Sequence, residues 1–198
     1  MKKSSIEGFI SRYNLGGEVE SVKIESTDSG MSVRFISNDK TLLGDVMSEE
    51  TGFPNGEFGI YTTSQLKNLL GVLGKDIDIK SGDASIIFSD GKTNVNYMLA
   101  DLSVVPIVPD LKQLPPFTST INMDGDFIAT FTKAKGAMTD SDTFTFTCKE
   151  GVGEVILGYS KINSNRISMN VDCTCDGDVD PISFSRYIHI TEPRPRNF

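Results

Sequence analysis

No stretch of this chain approaches the roughly 20 consecutive apolar residues that cross a bilayer, so no membrane-spanning helix is expected. Histidine occurs once, as His189, near a proline-rich tail. The G-x-S-x-G of a nucleophile elbow is missing, and so is any catalytic-cysteine signature. Gly74-Lys75 lacks the glycine spacing and the following Ser or Thr of a phosphate-binding loop. Among the 27 acidic residues nothing singles out a pair suited to glycoside hydrolysis. Three cysteines, an odd number, do not form a disulfide framework and fit a reducing cytoplasm. Glu7 and Arg12 break up the residues after Lys2 and Lys3, so no signal-peptide core is expected. With so few reactive groups an enzyme is hard to build, and neither catalysis nor a cofactor is expected.

Two metal patterns also fall short. Cys148, Cys173, Cys175 and His189 nominally make up a Cys₃His zinc set. No C-x-x-C knuckle accompanies them, and thiols packed as small apolar side chains are the expectation. Asp172, Asp176, Asp178 and Asp180 resemble a calcium loop, but its twelfth position is Ser183, so the bidentate ligand is missing. An acidic turn is expected there, and no metal site anywhere.

What is present is a repeating plan. Hydrophobic content of 38% with 23% charged residues over 198 residues fits one large or two small globular domains. A short amphipathic helix carries Ile6, Phe9, Ile10 and Tyr13 on one face. The pattern recurs with Leu66, Leu69, Leu70 and Leu73, and again with Phe127, Ile128, Phe131 and Ala134. The copies stand about 60 residues apart, long for a solenoid and suited to half a domain.

The first helix is expected over 4–13, with a serine at its start and Gly16-Gly17 at its stop, followed by strands near 19–26 and 31–37. Residues 41–58 are less regular. Thr62 and Gln65 have the spacing of a capping box, and Gly74 suits a helix stop. Strands near 76–80, 84–89 and 93–99 come next, with Asp90-Gly91 as a hairpin turn. A third helix is expected over 124–138, capped by Asp124. Phe144, Phe146 and Cys148 then alternate with threonine as a strand, and two more strands (155–159 and 166–173) flank a turn at Asn163-Ser164-Asn165.

Between these halves, residues 103–117 hold Pro106, Pro109, Pro115 and Pro116, half of the chain's eight prolines. Proline fixes φ and removes a donor, so this segment is expected to be an extended interdomain connector. Its apolar members, Val104, Val105, Ile107 and Val108, are expected to pack on a neighbouring sheet. The expected division is 1–102, connector 103–117, and 118–198.

The net charge of -8 argues by itself against nucleic acid. Its distribution argues otherwise. Residues 1–15 carry Lys2, Lys3 and Arg12 against Glu7, residues 62–75 carry Lys67 and Lys75 unopposed, and residues 181–198 carry Arg186, Arg194 and Arg196 against Glu192. In residues 124–138, Lys133 and Lys135 balance Asp124 and Asp126. Positive charge therefore concentrates in helical segments and towards the end of the sequence. On a helical wheel Arg12, Lys67, Lys75 and Lys133 fall off the apolar stripes, while Lys135 only flanks its own. The plainer alternative is that these residues decorate solvated helix faces.

The run Phe58-Gly59-Ile60-Tyr61 leading into 62–73, the strands after it, and the proline-rich 104–117 resemble the DNA polymerase sliding clamps of T-even-type bacteriophages. The likeness extends over residues 1–180. It implies an α+β DNA-clamp fold of two similar domains, each a set of helices plus antiparallel sheet. Three subunits would close into a ring, with helices on the inner face and sheets outside. Duplex DNA would pass through, held without base readout by Lys2, Lys3, Arg12, Lys67, Lys75, Lys133 and Lys135. A groove bordered by Val104, Val105, Ile107, Val108, Leu111 and Leu114 would take apolar tail peptides of the DNA polymerase and other partners. An ATP-dependent clamp loader would open the ring, in the cytoplasm of an infected bacterial host. The family carries a fourth helix where this chain has Pro181 to Ile190 and then Pro193 and Pro195, so the C-terminal end is expected to be shortened or altered. The competing readings are a non-catalytic β-rich viral structural or assembly protein and, third, an enzyme.

Overall fold

Ile6, Phe9, Ile10 and Tyr13 share one face at 3.6-residue spacing, and all four are buried along the first helix, α1 (Lys3–Asn14). Leu15 stops it in the left-handed region at φ 48°, and Gly16 and Gly17 continue with positive φ. The starting serine does not cap it: the N-cap is Lys2, which supplies no side-chain acceptor.

The computed structural model describes residues 1–50, 52–110, 116–162 and 165–186. The chain divides into units Met1–Asp110 and Leu111–Phe198, each mixed α and β with antiparallel sheets. Among the described residues no helix is long and apolar enough to cross a membrane.

In the first unit α1 is followed by β1 (Val22–Thr27), β2 (Gly30–Ile36), β3 (Leu43–Ser48) and β4 (Gly56–Ile60), paired in the order β3-β2-β1-β4. The irregular stretch 41–58 thus holds two strands. Then come α2 (Thr63–Gly71), β5 (Asp78–Ser81), β6 (Ser85–Ser89) and β7 (Asn94–Met98), the last three forming a sheet in sequence order. Alternation sorts the first sheet. Val22, Ile24, Met31 and Val33 enter one core with the α1 stripe, Leu66 and Leu70 of α2, and Phe88 of β6. Lys23, Glu25, Ser32, Arg34, Asp45, Met47 and Glu57 take the opposite face. The two helices therefore cover one side of this sheet and leave the other bare.

The start of α2 corrects the sequence reading. The Thr62 side chain makes no capping bond. Glu20 does the work instead: Ser64 N donates to its Oε2 at 2.8 Å, the Ser64 hydroxyl donates to Oε1, and Thr63 N donates to its carbonyl at 2.9 Å. A carboxylate at a helix N-terminus satisfies orphan N–H groups and suits the dipole. Tyr13 is fully buried nearby, and burial pushes its phenol pKa upward. The helix ends early, at Gly71 with Val72 as C-cap, so Gly74 is not the stop. Gly74 N donates to Asp90 in the β6–β7 turn at 2.8 Å, and that carboxylate also accepts from Thr93 N and Lys92 N. These backbone bonds, Thr93 first, hold the Asp90 carboxyl below its ordinary pKa.

The second unit contains β8 (Ser119–Asn122), α3 (Gly125–Ala137), β9 (Thr143–Lys149), β10 (Val152–Leu157), β11 (Ile167–Cys175) and β12 (Val179–Ser185), with sheet order β12-β9-β10-β11-β8. Asp124 caps α3 as its position suggests, accepting from Phe127 N at 2.7 Å. Phe131 and Ala134 bury against Phe144, Phe146 and Val155. The other end of α3 is held by Arg186, whose guanidinium donates to the carbonyls of Lys135, Met138, Thr139 and Ser141 at 2.7–3.1 Å. Where a fourth helix would begin, residues 179–185 form β12 on β9, with a register shift between Val179 and Ile182 that admits Pro181. Residues 187–198, with His189, Arg194 and Arg196, lie outside the described residues, as do Asn163 and Ser164 of the expected turn.

Candidate functional site

The bare face of the first sheet is where the proline-rich segment returns. Ala100 N donates to Gly59 O at 2.9 Å, rooting the segment beside β4. Gly59 permits this approach, because a Cβ there would sit 2.4 Å from the Ala100 carbonyl oxygen. A single 3₁₀ turn comes next over Leu102–Val104, capped by Asp101, which accepts from Ser103 N at 2.8 Å. The chain then runs to β2, where Arg34 donates to Asp110 Oδ1 at 2.7 Å and to the Pro109 carbonyl at 3.1 Å. The strand order β2-β1-β4 means that the segment spans β1 between these two attachments.

Beneath this span lies a groove of about 510 Å³, a size that suits small ligands or a few side chains. Leu102, Val105, Pro106, Ile107 and Val108 line one side, and Met47 adds an apolar patch from β3. Ile107 is 94% exposed and Met47 74%, unusual for large apolar residues without a partner. The floor is polar but mostly paired. Lys23 binds Glu25 at 2.6 Å and Glu57 at 2.8 Å, and these carboxylates, Glu25 first, push its ammonium above its ordinary pKa. The groove thus sets apolar side chains beside fixed charges.

Of the residues expected to border the groove, Val105, Ile107 and Val108 line it. Val104 is exposed and outside the lining. Leu111 and Leu114 lie outside the described residues. The sequence reading missed Met47, Leu102 and the charged floor. Met47 and the charged floor had only their outward position on strands as a signal, and Leu102 lies in the 3₁₀ turn just ahead of the expected connector.

The basic candidates separate into three kinds. Arg12 on α1, Lys67 on α2 and Lys133 on α3 occupy exposed or half-exposed positions on the helices. Lys2 and Lys75 are exposed but not helical: Lys75 lies beyond the end of α2, and Lys2 pairs with Asp76 in an isolated antiparallel bridge. Lys3 and Lys135 serve the fold. Lys3 Nζ donates to the Leu73 carbonyl at 2.9 Å and lies 3.6 Å from Glu7. Lys135 Nζ stands 5.6 Å from the Phe131 ring centre, and burial, then Arg186, lowers its pKa. Asp76, the bridge partner of Lys2, is itself exposed, so the surface there is mixed in sign.

No family profile matches the sequence, and no curated protein matches it. A solved structure does. Over 93% of this chain and 77% of the matched chain, the TM-score is 0.65 at 14% identity, in a structure of the C-terminal region of FEN-1 bound to A. fulgidus PCNA. The likeness is one of fold.

The acidic residues near 172–180 bind within the protein. Asp172 accepts from Asn122 at 2.9 Å, Asp178 accepts from Glu150 N at 2.9 Å, and Asp180 lies 3.3 Å from Lys149. Three sulfurs do converge, those of Cys148, Cys173 and Cys175, all within 4.8 Å of one another.

Proposed function

We propose that this chain is a subunit of a DNA sliding clamp, a non-catalytic processivity factor that tethers a bacteriophage replicative polymerase to duplex DNA. The observation that carries this reading is the groove: a proline-rich connector, rooted at Gly59 and tied to Arg34, roofs the sheet face opposite the helices. The matched fold supports it, since that structure pairs PCNA with the C-terminal region of another protein. On this reading each domain has the DNA-clamp fold, and three subunits close into a ring with helices inside. A clamp loader driven by ATP opens that ring in the cytoplasm of the infected host cell.

Arg12, Lys67 and Lys133 then face phosphates, with Lys2 and Lys75 beside them. Contacts of this kind hold duplex DNA without reading its sequence, which sliding requires. Retention comes from ring closure, so weak local affinity is enough.

The test is primer extension on circular and linear templates with the polymerase and loader of the same virus. The protein should sediment as a trimer and lengthen products on circular templates alone. Replacing Lys67 and Lys133 together by Glu should cut loading about tenfold or more at moderate salt, because lost phosphate contacts also forfeit counterion release. A stable monomer that leaves product length unchanged overturns the proposal. So does undiminished loading of the charge-reversed protein.

The groove has its own readout. A fluorescent peptide ending in apolar anchors, taken from the polymerase C-terminus, should bind the wild-type protein. Ile107→Asp should weaken it at least about tenfold, the scale of a truncated central anchor. Ile107 is almost fully exposed, so the fold should persist by circular dichroism.

A further inference from the structure

Cys148 lies on β9, and Cys173 and Cys175 occupy alternate positions on β11. Strand β10 runs between them. Two neighbouring thiols across such a gap would ordinarily be kept apart by the intervening side chain. Here the intervening residue is Gly153, paired with Cys148 on one side and Val171 on the other. A Cβ at Gly153 would come within 2.5 Å of Cys173 Sγ. The missing side chain is what lets the sulfurs meet over β10. Cys148 Sγ and Cys173 Sγ are 3.8 Å apart, and Cys173 Sγ and Cys175 Sγ 3.7 Å.

A disulfide does not suit this backbone. Positions two strands apart are separated by about 9.5 Å, beyond the roughly 7 Å that a disulfide bridges. Alternate residues of one strand stand about 6.6 Å apart, and their parallel Cβ directions keep the Cβ atoms about as far apart, beyond the roughly 3.5–4.5 Å of a bonded pair. A shared cation fits far better. Sulfurs bound tetrahedrally at about 2.3 Å from zinc stand about 3.8 Å from one another.

We propose that Cys148, Cys173 and Cys175 form a three-thiolate site for a thiophilic d¹⁰ cation, with Zn²⁺ as its divalent occupant. Soft thiolates select such ions over Mg²⁺ and Ca²⁺. Cys148 is buried while Cys173 and Cys175 are half-exposed, so the ion enters from the solvent side and its fourth position stays open to water. Ser119 of β8 stands opposite Cys175 in strand register, which places a hydroxyl-bearing residue beside that ligand. Asp176 adjoins Cys175 in sequence, and Asp178 accepts from Glu150 N two residues beyond Cys148, so both thiols have a carboxylate nearby in the chain fold, of the sign that favours a cation. The ion would tie β9 to β11 across β10 and so brace the sheet of the second unit. This site is independent of the clamp reading.

The competing occupant of the same geometry is three protonated thiols in van der Waals contact. Titration of the reduced, metal-free full chain with Co²⁺ separates the two. A thiolate site gives intense near-ultraviolet charge-transfer absorption that saturates at one Co²⁺ per chain and is displaced by Zn²⁺. Carboxylates binding Co²⁺ give no such band. Cys175→Ser, at a half-exposed position, should weaken binding at least about tenfold while circular dichroism stays unchanged. Cys173→Ser should do the same, so the test does not depend on the buried Cys148. Absence of the charge-transfer band overturns the proposal, as does a band of equal strength in Cys175→Ser. A native disulfide found by mass spectrometry before reduction also overturns it.

Discussion

Phe131→Ala should unfold the second unit well before the first. Phe131 is 2% exposed and sits at the centre of that unit's core. Its ring meets Phe144 edge-on at 5.1 Å and stacks near Phe127 at 6.3 Å. Truncating a buried phenylalanine costs about 3–5 kcal/mol through lost transfer free energy and the cavity left behind. Domains of this size have only about 5–15 kcal/mol in total. The loss also frees Lys135, whose ammonium no longer has a ring beneath it. The apparent melting temperature of the second unit should fall by more than about 10 °C. Segment-resolved hydrogen exchange is the measurement. Protection should collapse in β9 and β10 and persist in β1, β2 and α1, whose buried side chains form a separate cluster. Uniform loss across both units would show that the two cores do not unfold independently.

Gly59→Val should damage the groove more than the fold. Valine suits a strand, and Gly59 pairs in register with Lys23 of β1. The obstacle is on the other side, where the new Cβ would meet the Ala100 carbonyl oxygen at 2.4 Å. Backbone cannot yield as a flexible side chain does, so the connector's root must move off β4. Overpacking of this kind costs about 1–3 kcal/mol. The larger expected consequence is functional: peptide binding should drop at least about tenfold, because Val105 and Ile107 shift relative to Met47. Retained peptide affinity, with the fold intact, would show that the root at Gly59 does not set the groove.

Much of this architecture can be read in the residues, and the exceptions have physical causes. The apolar stripe of α1 is buried residue for residue, because local spacing alone places it. The alternation of Met31, Val33 and Phe35 marks β2 equally well. By contrast β3 is an edge strand with half-buried Leu43 and Val46, and β8 has four residues, so neither produces a clear period. Leu73 continues the leucine spacing and is buried, yet the helix has already ended. Periodicity records burial, and a tight turn can bury a residue as well as a helix can. That is why Lys75 reads as helical and is not. The capping of α2 was illegible for a different reason. Glu20 is far from Ser64 in sequence, and no local pattern reports a contact that depends on tertiary packing.

The candidate sites divide in the same way. The connector's apolar residues announce a packing surface. The polar floor of Lys23, Glu25 and Glu57 looks like any solvated strand face until the connector lies across it. The thiol cluster needs strand register and a missing side chain at Gly153, neither of which cysteine spacing reveals.

The two attachments of the connector are unequal, and this gives the roof of the groove a direction. At Ala100 it is held by a backbone bond, to which salt is largely indifferent. At Asp110 it is held by an exposed ion pair with Arg34, worth about 0–1 kcal/mol and screened by salt. Raised ionic strength should therefore weaken the Arg34–Asp110 ion pair while leaving the Ala100–Gly59 bond unchanged, so the two ends of the roof should differ in their response to salt.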